Sequence, residues 1–88
     1  MRSIVRKSQF KKDYKRLRSS GRDIPVLLQT ILKLQQGENL PESMRDHLLA
    51  GNWKDHREYH LAGDWLLIYQ LTATELILVR TGSHSELF

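Results

Sequence analysis

The chain has no cysteine in its 88 residues, which excludes a disulfide framework and a thiolate metal site alike. With only two prolines and five glycines, it has no linker and no low-complexity tract. Long apolar runs are also missing. The longest, WLLIY, falls far short of the roughly 20 residues that span a bilayer, and the opening MRSIVRKSQF has no signal-peptide core. The expectation is a soluble cytoplasmic protein with no membrane partner. Its length argues for one domain, residues 1–88, built on one core. Acidic residues are scarce in one place only: residues 1–22 hold nine lysines and arginines against a single acid, Asp13, whereas the remainder holds five basic residues and nine acids. A basic N-terminal segment suits a polyanion, since phosphate contacts require little beyond lysine and arginine.

What is present reads as a strand, two helices and three further strands. Ile4 and Val5 suit a short strand over residues 3–7, after which Ser8 can cap a helix. Phe10, Tyr14 and Leu17 recur at helical spacing and form one apolar stripe. Lys11, Lys12, Lys15 and Arg16 lie off that stripe and are the candidate substrate-binding cations. Gly21 can close the helix in a left-handed C-terminal turn. Asp23 is a good N-cap for a second helix with Pro25 in its first turn; Leu27, Leu28, Ile31, Leu32 and Leu34 make its apolar face, and Gly37 ends it. Residues 38–52 read as a loop carrying His47, with a helical turn around residues 43–46. Trp53, Tyr59 and Leu61 share one parity of a strand over residues 53–61. The turn AGD, the apolar strand WLLIYQL, the turn TAT and the strand ELILVRTG complete the chain, and such short turns require antiparallel pairing. The fold class is therefore α+β: an N-terminal strand, an αα-hairpin and a three-strand antiparallel meander, with the helices packed on one sheet face.

Four histidines raise the question of metal. His56 and His60 are four apart, which on a strand is about 13 Å, too far for one zinc. No metal and no cofactor are expected. Proton transfer fits better. His60 ends one strand, Asp64 closes the following turn, and the last strand returns Arg80 and His84 to the same end of the sheet. Histidine exchanges protons near neutral pH, arginine stabilises phosphate charge, and an aromatic such as Phe88 offers a base a stacking surface. This set suits RNA cleavage by the 2′-hydroxyl. One group takes the 2′-OH proton, a cation stabilises the phosphorane, and another group protonates the 5′-leaving oxygen.

The segments RDHLLAGNWKDHREYHLAGDWLLIYQLT and LVRTGSHSELF resemble the YafQ branch of the RelE/ParE toxin superfamily. The likeness extends over nearly the whole chain and rests on D-H-x-L-x-G-x-W, on R-x-x-H followed by D-W-x-L-I-Y, and on R-T-G-x-H-x-x-L-F. It implies a RelE-like fold and the toxin of a type II toxin–antitoxin pair, a metal-independent endoribonuclease that cuts mRNA in the ribosomal A site and blocks translation. It implies a cognate antitoxin, the 70S ribosome and mRNA as partners, with operator DNA bound only by the toxin–antitoxin complex. Position by position, it implies His47, His60, Asp64, Arg80, His84 and Phe88 as catalytic residues and Trp65 as a substrate contact. RelE itself uses a Lys/Arg-rich site, from which this sequence departs. Two other readings share parts of the evidence: a non-catalytic nucleic-acid-binding module, for which the basic N-terminal segment would suffice, and a ParE-like gyrase inhibitor, which has no need of the His/Asp/Arg/His set.

Overall fold

The computed structural model describes residues 2–37 and 55–87, and residues 47–48 by their backbone pairing. The turn expected around residues 43–46, Trp53 and Phe88 lie outside the described residues. The elements run β1 (Ser3–Arg6), α1 (Ser8–Ser19), α2 (Ile24–Gln36), β2 (His47–Leu48), β3 (Arg57–Ala62), β4 (Trp65–Leu71), β5 (Glu75–Ser83) and α3 (His84–Leu87). The expected α+β order is observed, with two strands paired onto the meander. The sheet order among the described residues is β1-β5-β4-β3-β2. β1 lies parallel beside β5, Ser3 opposite Glu75, and the other neighbours are antiparallel.

Each helix boundary has a local cause. α1 begins at Ser8 with Lys7 as its N-cap and no side-chain cap, so the cap expected from Ser8 is not formed. Asp23 does occupy the N-cap of α2, with Pro25 in the first turn, although its side chain makes no capping bond. Gly21 and Gly37, at φ 81° and 75°, take the left-handed conformation that ends each helix at little steric cost. The strand expected over residues 53–61 starts later, at Arg57, because Asp55 turns with φ 68°. His47, expected on a loop, belongs to a short strand and pairs with Glu58.

β4 is apolar and buried from Trp65 to Tyr69 because both of its faces are covered there. Trp65, Leu67 and Tyr69 join Phe10, Leu17, Leu27, Ile31, Leu34, Leu76 and Leu78 beneath the helices. Leu66 and Ile68 face the other way and pack with Leu87 and Val79. The β4–β5 register skips between Ile68↔Arg80 and Tyr69↔Leu78, so Val79 is the extra residue of a β-bulge. Such an insertion reverses the parity of the strand beyond it. Leu76 and Leu78 therefore face the helices while Arg80 falls opposite Ile68 on the other face. β1 stops at Arg6, and past that point, among the described residues, β5 runs on with no strand along its outer edge. A cleft of about 360 Å³ lies between β1 and the helices, lined by Ile4, Phe10, Tyr14, Leu28 and Ile31. Its described lining includes none of the candidate histidines.

Candidate active site

The sheet face away from the helices gathers the polar residues. Backbone register alone places His47, Glu58, Ile68 and Arg80 in one row across four strands, and His60, Leu66 and Gly82 in the next. Glu58 and His60 are two residues apart on β3 and so share a face. The Glu58 carboxylate is 5% exposed. Its Oε1 lies 3.1 Å from His60 Nε2 and 3.8 Å from His84 Nε2, and the two imidazoles meet edge to face with centroids 6.2 Å apart.

His84 is fixed from several directions. Asp64, in the tight turn between β3 and β4, accepts the His84 backbone N–H at Oδ1 (3.1 Å), and the same oxygen lies 3.1 Å from His84 Nδ1. The His84 backbone N–H is the main cause of a lowered Asp64 pKa; the cost of desolvation opposes it, and the His84 ring and Arg22 add to it. Asp64 is thus a carboxylate at neutral pH, an acceptor placed for an N–H at His84 Nδ1. His84 also opens α3, contrary to the expectation that it simply follows the last strand. The segment Ser83–Glu86 is a capping box: the Ser83 N–H donates to Glu86 Oε1 (2.7 Å), and the Glu86 N–H donates to Ser83 Oγ (3.3 Å). The Ser83 backbone N–H is the first cause of a lowered Glu86 pKa. Arg16, on α1, pairs with Glu86 at 3.3 Å and ties α3 to the basic helix.

Arg80 does not stand free among the histidines. Its Nε and Nη2 donate to Asp13 Oδ2 and Oδ1, each at 3.0 Å. These bonds are the first cause of a raised Arg80 pKa, against the cost of desolvation. The guanidinium is therefore a permanent cation held along one edge.

The structure brings together His60, Asp64 and His84, with Arg80 one register row away. The side chain of His47 and the whole of Phe88 lie outside the described residues. Trp65, implied as a substrate contact, sits in the core. It is 2% exposed, its Nε1–H donates to the Thr81 hydroxyl at 3.0 Å, and the Arg22 guanidinium covers its ring at 5.6 Å. Lys11, Lys12, Lys15 and Arg16 are exposed on α1 as expected. Two residues of this network escaped the sequence reading. Glu58 could have been found by its alternation with His60. Asp13 could have been found as a lone acid set on the apolar stripe between Phe10 and Leu17.

Residues 2–88 match the family described as bacterial toxin of type II toxin–antitoxin system, YafQ. The mRNA interferase toxin YafQ of Escherichia coli K12 is 39% identical over 89 residues, spanning 99% of this chain and 96% of that protein. Among solved structures, a copper-bound mutant toxin from Helicobacter pylori superposes with a TM-score of 0.94 at 44% identity over 100% of both chains. The crystal structure of the E. coli DinJ–YafQ complex matches with a TM-score of 0.91 at 37% identity, covering 100% of this chain and 99% of that one.

Proposed function

The chain belongs to the YafQ family of bacterial type II toxins, and on that premise we propose that it cuts translated mRNA in the ribosomal A site through the face that carries His60, Asp64, Arg80 and His84. It is an mRNA interferase, an endoribonuclease. It acts as a single domain over residues 1–88, in the cytoplasm where ribosomes translate. It is held silent by a cognate antitoxin, as YafQ is bound in the DinJ–YafQ complex, and reaches operator DNA only within such a complex.

One observation carries the assignment of roles: His84 sits between two carboxylates, with Asp64 at Nδ1 and Glu58 near Nε2. Asp64 fixes the orientation of the ring through Nδ1, and Nε2 is the nitrogen assigned to the substrate. We assign His84 as the general acid that protonates the 5′-oxygen. His60, against the same Glu58, accepts the 2′-hydroxyl proton. The 2′-oxygen then forms its bond to phosphorus as the bond to the 5′-oxygen breaks. Two rings whose centroids are 6.2 Å apart can both reach one phosphodiester over hydrogen bonds of about 2.6–3.2 Å. Arg80 stabilises the charge of the phosphorane. His47, in the same register row as Glu58, and Phe88 are the remaining candidates for the substrate, and the α1 cations follow the ribosomal and messenger phosphates.

Induced expression with mapping of mRNA 5′ ends tests the reading. Wild type should create new ends inside translated frames at a fixed phase, and His84→Ala should create none. Ends in untranslated RNA, or growth arrest with intact mRNA and altered DNA supercoiling, would overturn it.

A further inference from the structure

Asp13 is the one acid among the first 22 residues, and it is wholly buried at 0% exposure. Its carboxylate is almost saturated with donors. Oδ2 accepts the Arg80 Nε–H at 3.0 Å and the Thr81 backbone N–H at 3.2 Å. Oδ1 accepts Arg80 Nη2 at 3.0 Å and Gln9 Nε2 at 3.3 Å, with Arg16 Nη2 at 3.5 Å. Burial by itself would raise its pKa, but these donors more than offset that and leave it lowered.

A buried ion pair is weak evidence of net stability, because desolvating both charges cancels most of their attraction. The geometry of this pair accounts for it better. Thr81 lies on β5 beyond the end of β1, where no strand among the described residues pairs with its outer edge. There the Asp13 carboxylate takes the place of the missing strand. The same two oxygens hold the guanidinium side-on through Nε and Nη2, which leaves Nη1 as the nitrogen that Asp13 does not engage. The Val79 bulge places the Arg80 backbone on the histidine face, and Asp13, from the helix below, removes the rotational freedom of its long side chain.

We propose that Asp13 is a positioning residue of the cleavage site: it orders Arg80 in advance so that one edge of the guanidinium is committed to the protein and the other is presented to the scissile phosphate. The inference rests on the role given to Arg80 under the proposed function. An arginine ordered before substrate arrives need not be immobilised in the transition state, and misplacement of such a group by about 1 Å costs on the order of 100-fold in rate.

The test is single-turnover cleavage of ribosome-bound mRNA by Asp13→Asn, Arg80→Ala and the double variant, with folding followed by circular dichroism. Asp13→Asn should lower the maximal rate by about 10–100-fold while the half-saturating toxin concentration stays unchanged. In the Arg80→Ala background the same substitution should cost less than about 2-fold, since its only route to the chemistry is gone. A wild-type rate for Asp13→Asn would overturn the proposal. So would an equal loss in both backgrounds, which marks a residue that merely supports the fold. If Asp13→Asn does not fold, Asp13→Glu decides: it keeps the charge but moves the carboxylate by one methylene, so it should slow cleavage at unchanged half-saturation, and a wild-type rate would again refute the idea. A wild-type rate for Arg80→Ala would remove the Arg80 assignment itself and the proposal with it, an outcome distinct from failure at Asp13 alone.

Discussion

The Trp65 seat sets a quantitative test. Thr81 is fully buried. Its hydroxyl accepts the Trp65 Nε1–H at 3.0 Å and donates to the Leu66 carbonyl at 2.9 Å. Thr81→Val conserves shape but removes both bonds. The indole N–H is then left in a core lined by Leu67 and Leu78, and an unsatisfied buried donor costs about 1–3 kcal/mol. The second bond matters less, because the Leu66 carbonyl has two lone pairs and lies on a paired strand. A loss of about 2 kcal/mol is a large share of the roughly 4–13 kcal/mol available to 88 residues, and it lowers the melting midpoint by roughly 8–16 °C. Urea unfolding followed by tryptophan fluorescence measures it. Well below the midpoint, the folded variant should still cleave at close to the wild-type rate, because the hydroxyl faces the core and Trp65 stays seated there. A destabilisation below about 0.5 kcal/mol would show that the bond carries no weight. A stable variant that has lost cleavage would return Trp65 to the substrate.

Four shorter predictions accompany it. Asp64→Asn keeps an oxygen for the His84 N–H but not the charge beside Nδ1. It should slow single-turnover cleavage about 10-fold and Asp64→Ala about 100-fold, within the range for general acid catalysis; equal rates for both variants and wild type would remove Asp64 from the mechanism. Because the Asp13 pKa is lowered when folded, its contribution to stability is fully present above the unfolded value near 3.8 and disappears as pH falls through the lower folded value. Acid unfolding of Asp13→Asn should therefore lack that limb, and an unchanged acid limb would contradict it. Charge reversal of Lys11, Lys12 and Lys15 should weaken binding to the ribosome and reduce its salt dependence by about one counterion per lysine lost. Antitoxin binding is measured on the same variants, and no effect on either partner would make the basic face a merely solvated one. Finally, cleavage should persist in a chelator that leaves ribosomal magnesium in place, whereas a stoichiometric zinc held by His60 and His84 would defeat the metal-independent scheme.

The elements that periodicity and end signals specify were legible in advance: the Phe10/Leu17 stripe, Gly21 and Gly37 as stops, and WLLIYQL as a nearly continuous apolar strand, although the packing of Leu66 and Ile68 on its second face was not. His60, Asp64 and His84 could be brought together because short turns leave antiparallel strands only one arrangement. The rest depends on contacts between distant parts of the chain. Among the described residues, pairing of β1 with β5 leaves the outer edge of β5 open beyond Arg6, and Asp13 is buried there against Arg80. The bulge at Val79 has no sequence signature, yet it decides which face Arg80 occupies. The capping box was visible as Ser83-x-x-Glu86 but is too short to stand out as a helix. The substrate role of Trp65 came from the family resemblance alone, whereas strand alternation with Leu67 and Tyr69 places it among the core residues.

The central claim is that a 2′-hydroxyl attack assisted by His60 and His84 cuts mRNA on the ribosome. Its most direct test is a reconstituted translation complex programmed with mRNA carrying a single 2′-deoxynucleotide at the mapped cleavage position. Wild-type toxin should cut the all-ribose message to a 2′,3′-cyclic phosphate and a 5′-hydroxyl end, leave the substituted position intact, and lose activity with His84→Ala. Cleavage at the deoxy position, or a product bearing a 5′-phosphate, would contradict the mechanism.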